Sequence, residues 1–132
     1  MPTPAYPTDA PIADVVEVSL FGPGVGECLV VHTGAGKWIV VDSCMGDGGN
    51  AVALEYLNAI RVSPSAVARV IATHWHDDHT SGLTDVVDAT TGADFVCSGA
   101  LRRDEFLSLI AASPVVRRTT KLGSGVDEMT SI

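Results

Sequence analysis

The run Thr73-His74-Trp75-His76-Asp77-Asp78-His79 stands directly after Val67 to Ala72, a stretch that is apolar but for Arg69. A short apolar run bounded by polar residues reads as a strand buried on both faces. The polar run then starts at the carboxyl end of a central strand, the sheet edge where open α/β sheets bind ligands. Three of the chain's four histidines lie in it, beside two aspartates. Zinc takes nitrogen and oxygen donors at about 2.0–2.2 Å, and a second ion about 3.5–4 Å away needs donors of its own. Packing alone seldom gathers three imidazoles and two carboxylates in one loop, so this run is expected to bind metal.

Within the loop, residues two apart can turn both imidazoles to one ion, which pairs His74 with His76. Asp78 and His79, one turn further on, then face a second ion. Trp75 is expected to pack away from the metals. Asp77 has two readings, a partner for an imidazole N–H or a solvated carboxylate.

The rest of the chain supports an α/β layer fold with a mixed sheet. Four prolines among residues 1–14 preclude helix and central strand, so a loose Pro-rich tail is expected there, with folded structure from about Asp14 and one domain over 15–132. Val15, Val16, Val18 and Leu20 mark a first strand. Cys28 to His32 and Trp38 to Val41 form a hairpin through Gly34-Ala35-Gly36-Lys37. Gly22, Gly24 and Gly26 match no phosphate-binding spacing and read as a tight strand connection. After Asp42 comes a glycine-rich loop, then a helix in which Ala53, Leu57 and Ile60 repeat, with Asn50 as its cap and Pro64 as its stop. Leu83 to Ala89 reads as a helix, Asp94 to Cys97 as a strand and Leu101 to Ile110 as a further helix.

Composition narrows the class. At 132 residues, with 46% hydrophobic and 18% charged residues, the chain suits one soluble domain. A net charge of −8 argues against gripping nucleic acid through bulk electrostatics. Five of the eight basic residues, Arg102, Arg103, Arg117, Arg118 and Lys121, lie in the last third, where a solvated helix face is expected. Cys28, Cys44 and Cys97 are odd in number and lack C-x-x-C spacing, so reduced thiols are expected. No signal-like or membrane-length apolar segment occurs, which makes a cytoplasmic location, with no membrane partner, the expectation.

His74, His76, Asp78 and His79 together resemble the H-x-H-x-D-H signature of the metallo-β-lactamase superfamily. Ile39-Val40-Val41-Asp42-Ser43 is similar to the strand ending in Asp that lies beneath the metal site in many members. The resemblance implies an αββα sandwich, of which residues 15–132 correspond to the amino-terminal half. It also implies a two-zinc hydrolytic site, with iron or manganese as alternatives, in which Asp78 is both ligand and catalytic carboxylate and Asp42 supports the metal loop. Complete members draw a third histidine, a bridging aspartate and a further histidine from later motifs. Leu20 to Val31 is similar to the opening hairpin of the hydrolase domain of bacterial competence DNA-uptake proteins, which points to ester or phosphodiester substrates rather than β-lactams.

The alternative is a truncated or split binding module whose missing ligands come from a second chain. Half of a two-sheet sandwich exposes an apolar face, so association with itself or with a complementary half is expected in either case. His32, the remaining histidine, is expected to be a strand residue with a backbone or water partner. Cys44 is expected to be a small buried thiol rather than a metal ligand.

Overall fold

The computed structural model of the chain describes residues 6–22, 26–73 and 76–97, with the side chain of Asp77 left out. The expected helix at Leu101 to Ile110, with Arg102 and Arg103, lies outside these residues, as do Arg117, Arg118 and Lys121. The elements are β1 (Glu17–Phe21), β2 (Cys28–Gly34), β3 (Lys37–Val41), α1 (Val52–Ala59), β4 (Val67–Ala72), α2 (Asp77–Thr80), α3 (Leu83–Ala89) and β5 (Asp94–Cys97). The strands form one mixed sheet in the order β1-β2-β3-β4-β5, antiparallel as far as β3 and parallel from β3 to β5.

The hairpin between β2 and β3 turns through Ala35 and Gly36, whose φ angles of 51° and 71° are both positive. That is the turn whose twist matches two antiparallel strands. Between β3 and β4 the chain crosses over through α1, which buries Val52, Ala53, Tyr56 and Leu57. These residues pack with Cys28, Val30, Trp38 and Val40 from the sheet and with Leu83 and Val86 from α3 in a single core. Both helices therefore cover the same sheet face.

The opposite face tells a different story. Strand register places Val18, Leu20, Leu29, Val31, Ile39, Val41, Ile71 and Val96 there. None of the eight is fully buried, and Val18 and Leu20 are 59% and 66% exposed. Among the described residues nothing covers this face. For the same reason β4 is not buried on both faces, as its apolar run suggests, because Arg69 is exposed and pairs with Asp94 at 3.6 Å.

The helix ends also depart from expectation. Ala51 precedes α1 without a side-chain cap, and Asn50 directs its amide to Glu55 at 3.4 Å instead. The helix stops before Pro64, because Arg61 adopts φ 60° and lets Val62 N–H donate to Leu57 O and Arg61 N–H donate to Asn58 O. This paired closure satisfies the last carbonyls of the helix. Pro64 instead opens a 3₁₀ turn, Pro64–Ala66, capped by Ser63. The described residues ahead of β1, from Tyr6 on, form no helix or strand, yet they are tied to the fold. The ring of Tyr6 stands edge-on to Phe21 and Tyr56, and Ala35 N–H donates to Ala13 O at 2.8 Å.

Candidate metal centre

β3 and β4 run parallel, so Asp42 and Thr73, each the residue after its strand, emerge side by side at one sheet edge. Asp42 is 3% exposed and has φ 58°, an unfavourable conformation for a residue with a side chain. Its N–H still donates to Ile71 O at 2.7 Å, extending the strand pairing by one bond. Turned in this way, the carboxylate meets the start of the histidine run. Oδ1 accepts Thr73 N–H at 2.7 Å, and Oδ2 accepts the Thr73 hydroxyl at 2.6 Å. Oδ2 also lies 3.0 Å from His79 Nδ1.

That last contact sets the chemistry of His79. A carboxylate only accepts, so Nδ1 carries the hydrogen. Nε2 then points away from Asp42 and lies 3.4 Å from Asp78 Oδ2. The ring nitrogen and the carboxylate oxygen thus stand as neighbouring nitrogen and oxygen donors. The donor set is one that divalent metals accept. His79 is largely buried and Asp78 half-exposed, so the pair sits at the mouth of the sheet edge.

Backbone contacts hold α2 in place. Ser43 N–H donates to His79 O at 2.8 Å, the Ser43 hydroxyl to Ser81 O at 2.8 Å, and Glu27 N–H to Asp78 O at 2.9 Å. The last of these requires close approach at Gly26, with φ 139°, where a Cβ would stand 2.8 Å from Cys44 Cβ. Gly26 is thus needed for contact with the site loop, a role its place in a strand connection did not reveal.

The expected ligands are placed as follows. His76 is exposed just before α2 and its carbonyl accepts the Thr80 hydroxyl at 3.1 Å. His74 and Trp75 lie outside the described residues, as does the Asp77 side chain. Among the described residues no three donors converge on one point. His32 lies at the far end of β2, buried, with Nδ1 donating to Val15 O at 2.7 Å and Nε2 accepting Gly36 N–H at 3.2 Å. Both ring nitrogens are therefore engaged by backbone, as the sequence suggested. Cys44 and Cys28 are buried and free, and burial pushes both thiols up, Cys28 further through the neighbouring Cys44 and Asp42. Protonated thiols are poor ligands.

The sequence profile of the metallo-beta-lactamase superfamily matches residues 21–106, more than half of the chain. The chain belongs to this superfamily.

The chain is also similar to individual proteins of known sequence and structure. A hydroxyacylglutathione hydrolase of Shewanella sp. (strain ANA-3) is 45% identical over 62 residues, covering 44% of this chain and 22% of that protein. Metallo-beta-lactamase SMB-1, solved with 2-mercaptoethanesulfonate and with mercaptoacetic acid, superposes with a TM-score of 0.50 at 23% identity. That match covers 69% of this chain and 34% of SMB-1 and concerns the fold. The chain thus spans about a fifth to a third of the relatives it matches. The superfamily fold accounts for the mixed sheet with its helices on one face. Thr73, which supplies two of the three hydrogen bonds at the Asp42 carboxylate, was not singled out in the sequence. The sequence offered only a hydroxyl residue directly before the first histidine; its place beside Asp42 comes from the parallel pairing of β3 and β4.

Proposed function

We propose that the chain is the amino-terminal part of a zinc-dependent hydrolase that cleaves an ester-type bond, with a thioester as the favoured substrate. The observation that carries this reading is the Asp42 carboxylate, which fixes the start of the histidine run through Thr73 and directs His79 Nε2 toward Asp78. Nε2 and the Asp78 carboxylate stand together at the sheet's open edge, a nitrogen and oxygen donor pair that suits a divalent ion.

In this reading His74 and His76 hold one ion, and Asp78 and His79 hold a second. Bound ions supply Lewis-acid polarisation of the substrate's carbonyl oxygen and bring the pKa of water toward neutrality. Asp78 orients the attacking water by accepting a hydrogen bond at its carboxylate. Asp42 keeps the proton of His79 on Nδ1 and so keeps Nε2 available as a donor to metal. A thioester is favoured over the phosphodiester that the opening hairpin suggested, because the 45%-identical stretch belongs to a hydroxyacylglutathione hydrolase.

The open apolar sheet face supports a further part of the reading. A second protein layer, from a longer form of this chain or from a complementary chain, covers that face in the active form and brings the remaining ligands. The test uses the full-length protein, with metal content by elemental analysis and thiol release from an acyl-glutathione thioester. One to two zinc ions per chain and measurable turnover are expected. His76→Ala and Asp78→Ala should each abolish turnover with the fold intact by circular dichroism. Turnover retained in both variants sinks the proposal.

A further inference from the structure

Asp42 has two carboxylate oxygens and three donors around them, and two of those donors belong to Thr73. We infer that Thr73 is a positioning residue, which uses its backbone N–H and hydroxyl to lock the Asp42 carboxylate in the one rotation that holds His79 as its Nδ1–H tautomer. This rests on the metal-dependent reading above for its consequence and on geometry alone for its substance.

Asp42 alone does not define that rotation. Its backbone sits at φ 58° and its side chain reaches sideways from the end of β3 across to the end of β4. A carboxylate held by one N–H can still rotate about the Cβ–Cγ bond, a torsion with broad wells. Bonds from Thr73 to both oxygens, at 2.7 and 2.6 Å, remove that freedom. The hydroxyl and the His79 ring then share Oδ2, the hydroxyl at 2.6 Å and Nδ1 at 3.0 Å. With the hydroxyl gone, Oδ2 is free to swing from the ring, and His79 has less reason to keep its hydrogen on Nδ1. Free imidazole offers both tautomers, and the partner of one nitrogen decides which nitrogen is left as donor to metal.

The hydroxyl is thus assigned a task separate from stability, and the two can be told apart. Thr73→Ser keeps the hydroxyl, whereas Thr73→Val keeps the shape and loses it. Thr90→Val serves as a control, since the buried Thr90 hydroxyl donates to Val86 O at 2.8 Å at the end of α3, away from Asp42. Each variant of the full-length protein is prepared in ¹⁵N-histidine-labelled form without metal, and long-range ¹H–¹⁵N correlations report which ring nitrogen of His79 carries the hydrogen. Zinc affinity is then measured by competition with a chromophoric chelator.

Wild type, Thr73→Ser and Thr90→Val are expected to show His79 as the Nδ1–H form with similar zinc affinity. Thr73→Val is expected to show mixed tautomers and zinc binding weaker by about tenfold, the lower end of what loss of such outer contacts costs. A Thr73→Val variant that keeps a pure Nδ1–H His79 overturns the inference, and so does a tautomer shift of equal size in Thr90→Val. If full-length wild type takes up no zinc at all, the hydrolase reading falls and the tautomer result still decides the role of Thr73.

Discussion

At the scale of single residues, His32 and His79 show how the same side chain takes opposite roles. His32 spends both ring nitrogens on backbone groups, Val15 O and Gly36 N–H, inside the core. His79 spends one nitrogen on Asp42 and turns the other outward. His32→Leu fills the space but removes two hydrogen bonds to backbone groups of the exposed residues Val15 and Gly36, each worth about 0.5–1.5 kcal/mol because water can replace part of them. The expected outcome is a loss of roughly 1–3 kcal/mol in urea unfolding with unchanged zinc stoichiometry. A His32→Leu chain that folds normally and loses metal would instead place His32 among the ligands.

At the scale of elements, α1 ends on an arginine where helices of this closure usually place glycine. Arg61 at φ 60° pays for a left-handed backbone that glycine adopts freely. Arg61→Gly should therefore leave stability unchanged or raise it by up to about 1 kcal/mol, the relief of strain exceeding the added freedom of the unfolded chain. A thermal melt reads the difference, and a clear destabilisation would show that the Arg61 side chain has a role of its own. This end was not legible in the sequence, since nothing about Arg61 signals a left-handed residue and Pro64 offered a more obvious stop. The sequence was clearest where the local pattern and the tertiary environment agree. The Ala35-Gly36 turn, β5 and α3 lie where residue types placed them, because turn chemistry and alternation are local. Asn50 misled because the helix opens one residue later than its cap position requires, at Val52, and its amide meets Glu55 of the first turn instead. The role of Asp42 was legible through its motif, while that of Thr73 depends on two parallel strands ending at one level.

At the scale of the whole molecule, one face of the sheet is finished by α1 and α3, and the other is left unfinished by the described residues. Three aromatic rings, Tyr6, Phe21 and Tyr56, close the corner of the finished face, and the Tyr56 hydroxyl donates to Glu17 and accepts from Ser19. The unfinished face presents a patch of valine, leucine and isoleucine from all five strands. Patches of this kind mark contact with another protein surface. The isolated chain is expected to sediment as a dimer or larger species, above its 13.7 kDa mass. Leu20→Lys, at a 66% exposed position on β1, should shift it toward the single-chain mass with little change in the melt. Sedimentation at single-chain mass for both forms would count against an interface on this face.

The hydrogen bonds at Asp42 span 31 residues to Thr73 and 37 to His79. The histidine run is continuous in the chain, but the bonds that orient it are not. Grafting Thr73 to His79 alone onto a foreign strand end would therefore transfer the donor atoms without their alignment. The smallest portable unit is the parallel strand pair with its crossover helix, from β3 through α2, and an engineer who borrowed only the signature would be left with a histidine tag.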